Sequence, residues 1–534
     1  MKKLLVVLAL FLLLLPAAGF ALTTMAEEEM AEVQGNQGLT FTFIKNGALG
    51  DNRVGLSFTG LSYTDNDGSA ALGLTAGRIT LSSITMDNSW EWSPVTLDVT
   101  ATGNDGWLVI DPPQILNKRF EANLTFVDPN GVETNRGAGR FGIVGLNWMD
   151  IPPNPTPPPI TPGYTNDLEL FTIDGTGTSM GIWIGGKWEA SYIYWMDDGY
   201  TGYSGNAYLK TSTFKFYNFY TTLYGRLDAG RSGANSYVRF TWMDGAINDN
   251  RNIEFGRIGV TSAVGTVLNN TNTLFLANIW DLSLSQDNLF TLRANGDGGV
   301  TMDTDIGFNT GNLVFQDDNG FSSYAGRYAA FNGFHMDMVN TSLAIDVGTG
   351  AGIGTFLTFY DPTFELQDFG FTSIQMGTSS TNGGGPSLCS VDWDNLNTYL
   401  LLGLSGNTAA GDPNGIRMYL GMRIYDWDIH FGDSNGSSVL GPTGSAISTE
   451  GHFYVHNIHL WDRTTANAFV AFPVVLQAGT GATSRLALSV PDMPMTLEFT
   501  TRTANASNVG NDIFMHQIKG SINFNSTPIQ IYAH

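Results

Sequence analysis

The strongest constraint on this chain is a period of two. Leu39, Phe41 and Phe43 alternate with Thr40 and Thr42. Tyr425, Trp427, Ile429 and Phe431 alternate with Asp426, Asp428 and His430. Near the end, Met495, Leu497 and Phe499 alternate with Thr496 and Glu498, and Ile522 and Phe524 flank Asn523. Successive side chains of an extended strand point to opposite faces, so each segment has one apolar and one polar face. Beyond the first residues, no apolar run recurs at helical spacing. Composition agrees: 64 glycines and 12% aromatics suit strands and turns, and only 14% of residues are charged. The expected fold class is all-β, with long antiparallel sheets of repeated hairpins. A sandwich or an irregular β-solenoid satisfies the pattern, and an outer-membrane β-barrel is the alternative.

The first residues predict export. Lys2 and Lys3 precede an unbroken apolar run over 4–15; Pro16 breaks it, and Gly19-Phe20-Ala21 offers small residues for cleavage after Ala21. That order marks a secretory signal over 1–21. The run is shorter than the ~20 residues of a membrane span, and no cysteine follows it to carry a lipid. The mature chain is then expected at the cell surface, in the outer membrane or outside the cell. Cys389 is the one cysteine, so no intrachain disulfide forms. It lies in the Gly/Ser-rich stretch 383–390, where no neighbour supplies a base, and reads as a structural residue.

The chain divides at composition shifts. An acidic leader over 22–38 carries Glu27, Glu28, Glu29 and Glu32. An N-terminal β segment is expected over 39–150, a Pro-rich linker over 151–163 and the main β region over 164–534. The linker holds seven prolines in the twelve positions 151–162. Proline donates nothing to a sheet ladder, so the stretch reads as a stiff spacer or exposed loop. The net charge of −24 disfavours nucleic acid and attracts divalent cations.

A recurrent unit runs through both β segments: an aromatic strand end, an Asp/Asn-Gly turn, a short loop, a glycine and an alternating strand. Tyr63 to Gly68, Phe315 to Gly320 and Phe431 to Gly436 begin three copies, with looser ones at Trp195 and Trp242. Asp, Asn and Gly tolerate the positive φ of tight turns, which accounts for these residues without a ligand. The pairs Asp65 and Asp67, Asp317 and Asn319, and Asp433 and Asn435 also place oxygen ligands two apart before a glycine, as a calcium loop begins. None has the later glutamate of a complete EF-hand loop. A second candidate is Asp428, His430, His452 and His456, which would hold a transition metal if two neighbouring strands put them on one face. No nucleophile elbow, P-loop, zinc-protease helix or Rossmann turn is present, and the expectation is a protein that is not an enzyme.

Residues 29–39, Glu-Met-Ala-Glu-Val-Gln-Gly-Asn-Gln-Gly-Leu, form an acidic Val-x-Gly-x-x-Gly leader just after the signal. It resembles that of uncharacterised secreted β-rich surface proteins of Gram-negative bacteria, some described as pilus-system proteins. The Asp-x-Asp-Gly turns followed by a Gly-x-Ile-x-Leu strand are similar too. The resemblance covers about a quarter of the chain and brings no catalytic residues with it. It implies an envelope location and partners among envelope or pilus proteins, or self-association. The expected function is a secreted or cell-surface structural or adhesive β-protein. A porin-like barrel comes second, and an extracellular carbohydrate-binding protein or glycosidase third.

Overall fold

The computed structural model describes most residues between 39 and 532. The longest stretches outside that description are 1–38, 42–52, 150–167, 198–205, 318–326, 378–389, 407–414 and 434–450. The signal, the acidic leader and Cys389 therefore lie outside the described residues. Those described are nearly all strand, with no helix among them, as the alternation required. Among the described residues, no helix is long and apolar enough to cross a membrane.

Strands follow one another end to end in long passes. They lie within residues 39–65, 75–102, 105–127, 140–172, 180–197, 207–232, 235–261, 273–294, 300–317, 327–350, 354–377, 390–406, 416–433, 451–479, 485–505 and 508–532. Each of these sixteen passes pairs antiparallel with the one before it. The result is one large antiparallel sheet, wound up and down in sequence order. Its longest strands, Arg327–Gly350 and Gly354–Gly377, have 24 residues each. That is about 80 Å if fully extended.

The Pro-rich stretch does not divide the sheet. Strand Arg140–Met149 pairs with Lys187–Ala190 and Tyr192–Asp197, while Leu168–Thr172 pairs with Met180–Ile184. Before and after the prolines, the chain pairs with successive parts of one pass. Strands on both sides of the stretch 151–163 thus belong to one sheet. Residues 150–167 themselves lie outside the described residues.

Six of the passes carry an interruption midway, and these share one construction. Ser83, Asn117, Asp281, Asn340 and Asn457 have positive φ, as do Gly256 and Gly333. The pairing register shifts at Ser83, Asn117, Gly256, Asp281, Asn340 and Asn457. Such β-bulges leave one backbone amide out of the ladder. At six of these seven positive-φ positions a side chain on the adjacent pass accepts the amide hydrogen. Asn147 Oδ1 accepts from the Asn117 amide (2.6 Å), Asn252 from Asp281 (3.0 Å) and Asn278 from Gly256 (3.2 Å). Asp305 Oδ1 accepts from Asn340 (2.7 Å), Asn312 from Gly333 (3.4 Å) and Asp428 from Asn457 (2.9 Å). Asn, Asp and Gly tolerate the left-handed backbone, and short amide or carboxylate side chains reach the neighbouring strand. Both halves of each clasp thus draw on the same residue types.

Asn252 is 4% exposed, so no water replaces it readily. Asn252→Ala takes the acceptor from the Asp281 amide and is expected to cost about 1–3 kcal/mol. Urea unfolding of the variant against the parent measures it, and an unchanged midpoint would show that the clasp contributes nothing.

Candidate functional site

The candidate site is the sheet itself, because its two faces differ in chemistry. Residues directly opposite in a ladder share a face. Trp148, Trp188, Phe216, Ile253, Ile279, Leu313, Phe331 and Ile374 are successive partners across eight passes. A second row runs Leu284, Phe308, Met336, Phe369, Trp393, Ile429 and Val455. A third runs Val347, Leu357, Leu404, Met418 and Val474. Rings join the first two rows: Phe275 meets Phe315, Phe315 meets Phe331, and Phe331 meets Phe371. Phe371 in turn meets Phe334 and Trp393, and both contact Phe369. Edge-to-face and offset rings of this kind add about 0.5–1.5 kcal/mol per pair beyond area burial. Most of these side chains are only half-buried.

One residue along each strand, the chemistry inverts. Beside the first apolar row run Asn147, Glu189, Lys215, Glu254 and Asn278. Lys215 Nζ lies 2.8 Å from Glu254, which also accepts from the Tyr217 hydroxyl. Further along, Asp228, Arg239, Thr291, Asp303 and Ser342 are successive partners. Arg293 reaches both oxygens of Asp303 (2.7 and 3.0 Å), the Ser342 hydroxyl donates to Asp303, and Asp361 accepts the Ser342 amide. On this face Thr358 and Ser405 are fully buried and Gln477 is 1% exposed. Both faces mix buried and half-buried side chains: Asp303 is 37% exposed on the polar face, and Val347 and Val474 of the third apolar row are buried.

Beside the second apolar row the partners are all acidic. Asp337 stands opposite Asp368, Asp368 opposite Asp394, and Asp394 opposite Asp428. Like charges directly opposite one another are unfavourable. The Asn457 amide on Asp428 offsets part of that repulsion, and His335 Nε2 lies 3.4 Å from Asp368. Among the described residues, no group of three or more His, Cys, Asp or Glu side chains is placed to hold a metal ion.

The metal candidates can be located in part. Asp65 ends strand Gly60–Asp65 as a turn residue: its Oδ1 accepts the Asp67 and Gly68 amides, and its Oδ2 accepts the Val347 amide. Both carboxylate oxygens are thereby engaged by backbone. Asp128 closes its own turn in the same way, accepting the Val132 amide at 2.7 Å. Asp317 and Asp433 are the last residues of their strands. Their side chains, with Asn319 and Asn435, lie outside the described residues. For the second candidate, the ladder sets His430 opposite Tyr454 and His452 opposite Gly432. His456 pairs with Thr500 on the other side. The side chains of these three histidines also lie outside the described residues. Asp428, the fourth member, serves the Asn457 bulge.

One ionic cluster ties three passes together. Glu121, 2% exposed, accepts from Tyr194 Oη (2.5 Å) and pairs with Arg119 (2.7 Å) and Arg140 (3.3 Å). Arg140 continues to Asn123, Thr85 and the Ser83 carbonyl. The arrangement holds no nucleophile, and each of its groups is used in holding another. Sequence reading missed this cluster, since its members are 19 and 73 positions apart. It also missed the acidic row, although each of its strands carries an Asp beside an apolar residue. No known protein family, no curated protein and no solved structure matches the chain.

Glu121→Ala leaves two guanidinium groups and a buried hydroxyl without their shared acceptor. Removing one partner of such a cluster is expected to cost about 3 kcal/mol. A melting curve within scatter of the parent would show instead that water replaces the carboxylate.

Proposed function

We propose that this chain is a non-catalytic envelope protein held in an outer membrane as a β-barrel, its aromatic face toward lipid and its acidic face inward. The observation that carries this is the sidedness of the sheet: apolar and aromatic rows on one face, charged and polar rows beside them on the other. A water-soluble sheet protein buries its apolar face, whereas a transmembrane barrel is apolar outside and polar inside. For a secreted adhesin, rows of aromatic residues across eight passes would be a large exposed apolar patch, which soluble proteins avoid. Strands of 24 residues exceed the ~9–11 needed to cross the hydrocarbon layer, so their ends extend beyond it. The sixteen antiparallel passes among the described residues, an even number, let the first and last run antiparallel, as closure requires. The predicted export signal and the resemblance to Gram-negative surface proteins support the same location.

Expression in a Gram-negative host and separation of inner membrane, outer membrane and soluble fractions tests the reading. The protein is expected in the outer-membrane fraction, running faster on a gel when left unheated. Trp393→Arg puts a charge in the second apolar row and is expected to lower stability in membranes by about 2–4 kcal/mol. Recovery of the parent as a soluble protein with one gel mobility overturns the proposal.

A further inference from the structure

Two contacts in the sheet are alike, although they lie four passes apart. At one, the Asp65 carboxylate accepts the Val347 amide at 2.9 Å, across 282 residues of chain. At the other, the Asp197 carboxylate accepts the Ala478 amide at 3.0 Å, across 281 residues. Each aspartate is the last residue of its strand and is followed by an Asp/Asn-Gly sequence, Asn66-Asp67-Gly68 or Asp198-Gly199. Each donor amide lies near the end of a pass and is followed by the same four residues, Gly-Thr-Gly-Ala, at 348–351 and 479–482. Both aspartates are buried, at 0% and 1% exposure.

Packing supports both contacts. At the first, Gly348 partners Ala76 and Thr349 partners Thr75. A Cβ on Gly348 would come within 2.4 Å of the Leu74 side chain and 2.9 Å of the Ser69 amide nitrogen. At the second, Trp195, Ala207, Val260 and Ala478 form a buried apolar cluster. A buried carboxylate is costly unless hydrogen-bonded, so each contact is favourable only while docked.

We infer that these are two copies of one latch, which seats strand ends of the N-terminal passes on the ends of later passes and holds the sheet rolled on itself. The inference stands apart from the membrane reading, since each contact is made by a backbone amide in the sheet plane, and of the four residues only Val347 belongs to an apolar row. Each latch opens locally: loss of the aspartate frees one distant amide, not the sheet. The two are far enough apart to act independently.

Hydrogen exchange read by mass spectrometry on the full chain tests it. Asp65→Ala is expected to speed exchange in residues 342–350 by about tenfold or more, leaving 470–480 unchanged. Asp197→Ala is expected to do the reverse. Gly348→Val attacks the first latch from its other side and should deprotect the same segment as Asp65→Ala. If one aspartate variant fails to fold, the other latch and the glycine variant still decide the matter. Unchanged exchange at the distant segment, or uniform acceleration along the chain, overturns the inference.

Discussion

Everything in this molecule depends on the backbone's need to pair every amide it buries. Among the described residues there is no helix to satisfy that need within a segment, so each strand depends on its neighbours. The up-and-down meander is the simplest answer, because each pass finds its partner in the pass just made. Once register is set along one ladder it is set for the next. Rows such as Trp148, Trp188, Phe216 and Ile253 are the visible consequence. A slip of one residue at any strand would carry an aspartate or lysine into an aromatic row.

The bulges are exceptions to that rule, and their repair shows how strict it is. Where Asn117, Gly256, Asp281, Asn340 or Asn457 leaves the ladder, an Asn or Asp on the adjacent pass takes its amide. Those bulges bend strands that would otherwise be long and flat. A bent sheet can bring distant strand ends together, as at Asp65 and Val347. Asparagine thus works inside the strands as well as in the turns, and its abundance reflects both uses.

The two faces divide the remaining work. The aromatic face offers packing without charge, and the other face gathers the carboxylates, some paired with arginine and some set side by side. The run from Asp337 to Asp428 places acidic residues in four consecutive passes. A sheet with that asymmetry needs different surroundings on its two sides.

Period-two alternation by itself determined that the chain is all-β and two-faced, because each strand writes its own faces into its sequence. Turn residues likewise marked strand ends correctly at Asp65, Asp197, Asp317 and Asp433. Sequence did not reveal that the sheet continues past the prolines, that Asn147 or Asn252 would serve a bulge, or that Asp65 would reach Val347. Those depend on which strands lie side by side and in what register, and pairing between residues tens to hundreds apart leaves no local trace. The tertiary structure alone decided that Asp65 is a docking residue, because the carboxylate that a turn or a cation would use was also within reach of a distant amide.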